Sequence, residues 1–182
     1  MSLVRWNTAT SLDGFVAGPN DAMDWIFAYD EPNPLVDEII GSTGALLVGR
    51  NTFEAGRQPG QAEQATEPFG GAWSGPQFVL THHPPASEPD PSVTFLSGDI
   101  APAVATARAA AGGGNVLVVG GDVARQWLQA GLMDDIVILV APILLGDGVR
   151  LSGSVPYASV PLELLSVTQA GQVINLHYRP AR

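Results

Sequence analysis

There is no cysteine among the 182 residues, which removes disulfides, thiolate catalysis and Cys-ligated metals together. Basic residues are few as well: eight Lys and Arg stand against eighteen Asp and Glu, a formal net charge of −10 at pH 7. Nucleic acid and anionic membrane want a basic face, so both are excluded as main partners. A small anion held by a local group of Arg and backbone N–H groups is not excluded. No apolar run reaches bilayer-spanning length, and the opening Met1-Ser2-Leu3-Val4-Arg5-Trp6 lacks the apolar core of a secretory signal. A cytoplasmic location is therefore expected. His82 and His83 point apart on an extended chain and have no carboxylate-rich motif beside them, so no metal site is expected. The dinucleotide fingerprint G-x-G-x-x-G is missing. Neither an internal repeat nor a linker is evident, and a hydrophobic content of 46% argues against disorder. One domain over residues 1–182 is the expectation.

What is present is a series of short β-branched runs, each followed by a glycine or polar turn. Asn115-Val116-Leu117-Val118-Val119 reads as a strand buried on both faces, and Gly120-Gly121 leads from it into a helix with Val123, Ala124, Trp127 and Leu128 on its apolar face. A strand feeding a helix through two glycines aims free N–H groups and the positive helix end at one spot, suited to a phosphate. The same turn serves equally as an ordinary connection whose glycines relax the backbone. Ala45–Val48 is a second such strand, turning through Gly49-Arg50-Asn51-Thr52-Phe53-Glu54 into a helix. Arg50 is a fork donor fit for phosphate or a surface residue, and Thr52 a phosphate ligand or a plain N-cap. Gln77–Thr81 is a third strand, with Thr81 and His82 at its end as polar lining.

Leu3–Thr10 is the first strand, running into a long loop from Ser11 to Asn20. Trp25-Ile26-Phe27 forms an apolar knot that packs the loop down or lines a pocket. Pro34–Gly41 is a short helix, ended by Gly41 or Gly44. Gln58–Gly75 is a loop, Val93–Leu96 a strand, and Ile100–Ala111 a helix with Asp99 as its candidate N-cap. Ile136–Ala141 is a strand, and Leu162–Thr168 with Val173–Tyr178 forms a hairpin turning at Ala170-Gly171-Gln172. Strands alternating with helices, closed by an antiparallel pair, predict an α/β fold: a central, mostly parallel sheet, helices on both faces and a C-terminal hairpin at its edge. Ligands in such sheets bind beyond the carboxyl ends of the strands. Gly49-Arg50, Thr81-His82 and Gly120-Gly121 all fall at such ends, which describes an extended anionic ligand such as a dinucleotide.

Four motifs in order, Ser11-Leu12-Asp13-Gly14, Gly49 to Glu54, Gly120-Gly121 before Val123 to Leu128, and Pro142-Ile143-Leu144-Leu145-Gly146-Asp147-Gly148, resemble the dihydrofolate reductase-like superfamily. Within it the chain is most similar to the reductase (C-terminal) domain of riboflavin-biosynthesis deaminase/reductases and its stand-alone relatives, over nearly its whole length. The resemblance implies a three-layer fold and an NADPH-dependent reductase of a small heterocycle, with 5-amino-6-(5-phosphoribosylamino)uracil as the family substrate. A pterin or dihydrofolate reductase is the alternative, and a non-catalytic dinucleotide- or heterocycle-binding protein is another. It implies that Gly49, Arg50, Thr52, Thr81 and His82 hold the adenosine phosphate. Gly120 and Gly121, joined by a cis peptide in relatives, would approach the pyrophosphate, with Asp122, Val123 and Ala124 opening the helix beneath it. Ala9 and Thr10 would meet the nicotinamide through backbone groups. The loop from Asp13 to Trp25 would close over the nicotinamide, with Asp13 and Trp25 as substrate contacts. Asp30 and Asp37 are the candidate proton donors; counting back from Gly49 falls near Asn33 instead. Two positions depart from relatives: Val119, where riboflavin-pathway reductases carry an acid, and Asp122, where dihydrofolate reductases carry a base. Relatives form homodimers through the sheet edge, which implies the same here.

Overall fold

Ala45–Val48 and Val116–Val119 are apolar at every position because both of their faces are covered. In the computed structural model, which describes residues 2–29, 31–55, 57, 67–88, 90–153 and 158–181, they are central strands of an eight-stranded sheet. In chain order the elements are β1 Val4–Ser11, β2 Phe15–Ala17, α1 Pro34–Ser42, β3 Thr43–Gly49, α2 Arg50–Ala55, β4 Gln77–Leu80, β5 Val93–Leu96, α3 Ile100–Ala110, β6 Asn115–Val119, α4 Gly121–Gln129, β7 Asp135–Ala141, β8 Val149–Arg150, β9 Leu162–Ala170 and β10 Val173–Pro180. The strand order is β5-β4-β3-β6-β1-β7-β10-β9. The first six run parallel, and β10 and β9 add antiparallel. This is a dihydrofolate reductase-like architecture.

Side chains alternate across the sheet, as a period of two requires. Ala45, Leu47, Val116, Val118 and Ile136 meet Val104 and Ala107 of α3 and Val123, Ala124 and Trp127 of α4. Leu46, Val48, Leu117 and Val137 face the other way, onto Ile39 of α1 and Phe53 of α2. Helices thus lie on both faces, as expected.

Several local readings are corrected. The segment from Ser11 to Asn20 is not all loop: Phe15–Ala17 forms β2, paired with β8 far along the chain, a partnership with no local signal. Neither Gly41 nor Gly44 ends α1. The helix runs to Ser42, where the hydroxyls of Ser42 and Thr43 donate to the Ile39 carbonyl at 3.2 and 2.7 Å and satisfy one of its orphan acceptors. Asp99 sits at the N-cap position of α3, but its side chain makes no capping bond. The hairpin turn is two residues, since Ala170 already pairs with Val173, and Gly171 takes φ +56° there. The Gly120–Gly121 peptide is trans, not cis, and Gly120 makes the turn by its own φ of +104°. Much of the loop expected over residues 58–75 lies outside the described residues. At the sheet edge, β9 leaves Leu162, Leu164, Leu165 and Val167 exposed. No described helix is long and apolar enough to cross a membrane.

Candidate active site

Because β4, β3, β6, β1 and β7 are neighbours and parallel, their carboxyl ends share one rim. The rim spans four strand spacings of about 4.8 Å, roughly 19 Å. At its middle, β6 turns through Gly120 into α4. The carbonyl of Gly120 accepts the first intrahelical bond, from the Ala124 N–H at 3.1 Å, so the N–H groups of Gly121, Asp122 and Val123 precede the helical ladder. Val123 and Ala124 point into the core, 6% and 0% exposed, and have only backbone to offer a ligand. A methyl group on Gly120 would lie 2.7 Å from Thr52 Oγ1, which puts the turn after β3 against the turn after β6.

Asp122 by its sequence would repel a phosphate. In the fold it pairs with Arg125, whose side chain is only 9% exposed and also donates to the Leu151 carbonyl at 3.4 Å. Sequence reasoning passed over Arg125, although its place three residues after Asp122 on one helix was the available signal. Its guanidinium lies against Gly121.

At the β4 side of the rim, Arg50 Nη1 donates to the His83 carbonyl at 2.8 Å and to Thr81 Oγ1 at 3.4 Å, and Nε donates to Glu54 at 2.7 Å. Thr81 is buried and its hydroxyl also accepts the His83 N–H, while His82 is exposed. A cavity of about 350 Å³ opens here, lined by Arg50, Phe53, Arg57 and Phe95 among others. At the β7 side lies a second cavity of about 420 Å³. Ala9 of β1, Leu139 and Ala141 of β7, Val36, Asp37 and Ile40 of α1, and Asn33 just before α1 line it. The α1 residues recur at helical spacing, so one face of α1 forms the wall. Thr10 is buried beside Ala9 in β1.

Asp37 therefore faces the second cavity from an exposed position, while Asp30 lies outside the described residues. Asn33 caps α1 through the Leu35 N–H at 3.3 Å and exchanges two amide hydrogen bonds with Asn175 of β10, at 3.0 and 3.1 Å. That amide pair was not legible, since 142 residues separate its members. Trp25 is buried, and its neighbours Ile26 and Phe27 line the cavity. Both oxygens of Asp13 are taken up within the protein. Oδ1 accepts the Ser11 hydroxyl at 2.6 Å and the Leu145 N–H at 3.1 Å, and Oδ2 accepts the Gly146 N–H at 2.8 Å. The Ser11 bond, helped by the two N–H groups and opposed by partial desolvation, lowers the pKa of Asp13 to about 2. Asp13 thus braces the loop after β7 over the end of β1.

Known proteins share this fold. The sequence profile of the RibD C-terminal domain matches residues 2–176. A provisionally assigned riboflavin biosynthesis protein of Shewanella sp. PV-4 is 25% identical, superposes with a TM-score of 0.77 and is matched over 99% of both chains. The diaminohydroxyphosphoribosylaminopyrimidine deaminase/5-amino-6-(5-phosphoribosylamino)uracil reductase of Thermotoga maritima is 19% identical with a TM-score of 0.69, matched over 99% of this chain but 57% of its own. Dihydrofolate reductase of Enterococcus faecalis, solved with NADP(H), is 16% identical with a TM-score of 0.65, over 99% of this chain and 97% of its own. The last two likenesses speak to the fold. The match along nearly the whole sequence speaks to descent, and the chain belongs to the RibD C-terminal domain family.

Proposed function

We propose that this protein is an NADPH-dependent reductase of a small heterocycle, with 5-amino-6-(5-phosphoribosylamino)uracil as the leading substrate. One observation carries the reading: cavity, glycine turn and cavity follow one another along a single rim, in the order of adenosine, pyrophosphate and nicotinamide with substrate. Both cavities fall within the size range of small-molecule sites, ~300–1,000 Å³. Arg50, Thr52, Thr81 and His82 would hold the adenosine phosphate, with Gly49 letting the backbone come close. Gly120, Gly121 and the first N–H groups of α4, from Asp122 to Ala124, would face the pyrophosphate. Ala9 and Thr10 would border the nicotinamide, and Asp37 would hold or pass the proton at the substrate. Asp13 and Trp25 would act indirectly, by fixing the loops that frame the second cavity. When bound, the nucleotide supplies the hydride, and the protein orients it and excludes water.

The Thermotoga maritima relative is named for reduction of the aminouracil, and the Enterococcus faecalis enzyme of the same fold was solved with NADP(H). A carboxylate on the first helix facing the cavity, Asp37, is the observation that favours a pterin as the second reading. Titrating the protein with NADPH while following tryptophan fluorescence tests the cofactor, and nucleotide oxidation with an aminouracil and a pterin panel then tests the substrate. A saturable change with NADPH and turnover of one panel is expected. No binding at millimolar nucleotide would sink the proposal, and binding without turnover would leave a nucleotide-binding protein.

The same proposal includes a homodimer through β9. An edge strand with four exposed apolar side chains is a template for pairing unless it is covered. Sedimentation at tens of micromolar should give twice the chain mass; a monomer there removes this part.

A further inference from the structure

The first cavity is unusual for a phosphate site in its charges. Two guanidinium groups line it, Arg50 and Arg57, together with two carboxylates, Glu54 and Glu88. Each cation has an acid of its own: Arg50 Nε meets Glu54 at 2.7 Å, and Arg57 Nη1 meets Glu88 at 3.0 Å. The four formal charges cancel. The two pairs differ, however. Arg50 and Glu54 are 41% and 53% exposed neighbours on one helix, and water screens them. The Glu88 side chain is only 12% exposed, and its other oxygen accepts the Asp90 N–H at 3.1 Å, so it is fixed by its own loop. Arg57 is 39% exposed, much like Arg50, but it is held in place: its Cζ lies 4.0 Å over the Phe53 ring, which meets Phe95 edge-on at 5.7 Å. A cation stacked on an aromatic face loses little freedom when it binds an anion.

Where a site discriminates between the two nicotinamide nucleotides, an acid takes the ribose 2′-hydroxyl and an Arg takes the 2′-phosphate. Here one ion pair contains both groups. On the cofactor reading proposed above, the geometry points to Arg57 and Glu88 as the pair that sets nucleotide preference, with Glu88 competing against the 2′-phosphate for Arg57. The unsubstituted protein then accepts both nucleotides with a modest preference for NADPH. A carboxylate already occupying the guanidinium must release it before a phosphate can use the same donors.

The test compares NADPH and NADH affinities of the full chain with those of Glu88→Gln and Arg57→Gln. Glutamine at 88 keeps an oxygen for the Asp90 N–H and removes both the charge and the acceptor that faces Arg57. Glu88→Gln should tighten NADPH by about three- to tenfold without tightening NADH, and Arg57→Gln should weaken NADPH by about tenfold with NADH changed less than about twofold. Equal shifts for both nucleotides in these variants overturn the assignment and leave the cofactor reading intact. Failure of the unsubstituted chain to bind either nucleotide overturns both.

Discussion

Gly120→Ala is expected to abolish nucleotide binding and to cost the fold about 1–3 kcal/mol, the range for a non-glycine residue forced into a sparsely populated backbone region. Two causes add. Gly120 takes φ +104°, and its new methyl would lie 2.7 Å from Thr52 Oγ1. Either the α4 turn moves away from α2 or Thr52 is pushed out of place; both change the spot where the glycine turn meets the turn after β3. Thr52→Ala added to Gly120→Ala removes the collision and keeps the backbone strain, so it should recover part of the stability. Thermal unfolding and an NADPH titration of the single and double variants read the two effects separately. A Gly120→Ala protein that binds NADPH within about twofold of the parent would show that this turn is an ordinary connection.

A second substitution with a large effect lies at the amino ends of the central strands β1 and β7. Arg5 of β1 and Asp135 of β7 pair at 2.7 Å with both side chains 6% exposed, and His177 of β10 meets the other Asp135 oxygen at 2.6 Å. Glu38 reaches Arg5 at 3.3 Å from an exposed position and contributes little. Asp135→Ala therefore strands a buried guanidinium, at a cost of about 3–5 kcal/mol. Against a total stability of ~5–15 kcal/mol, that is a large fraction. Removing both charges, with Arg5→Leu and Asp135→Leu together, should cost less than Asp135→Ala alone, because no charge is left uncompensated. Urea unfolding compares them. These residues sit near the amino ends of their strands, away from the rim, so the folded fraction of Asp135→Ala should bind nucleotide normally. A loss below about 1 kcal/mol would mean that Arg5 finds water or Glu38 instead.

The two sites differ in how far the chain announced them. Gly120-Gly121, Gly49-Arg50 and Thr81-His82 each follow an apolar run, and parallel strands place such turns at one edge whatever the details of packing. Their convergence was therefore legible from order alone. The partner of Asp122 needed only helical spacing, yet Arg125 drew no notice because nothing in its flanks marks it as buried. The pairing of Asn33 with Asn175, of β2 with β8, and of Asp13 with the N–H groups of Leu145 and Gly146 joins segments more than 130 residues apart. No local pattern encodes those.

Residue type and period determined, on their own, the eight strands of the main sheet, the helices and that both faces of that sheet are covered, though not the small β2–β8 pair, because burial of alternate or every third-to-fourth side chain is a property of the segment itself. They also marked the glycine turn, whose conformation other residues resist. Tertiary structure alone decided how the polar side chains are used. Asp37 faces a cavity, Asp13 is taken up by a loop, Trp25 packs into the core and Glu88 holds Arg57, because a carboxylate or an indole carries no mark of the neighbour that will eventually stand opposite it.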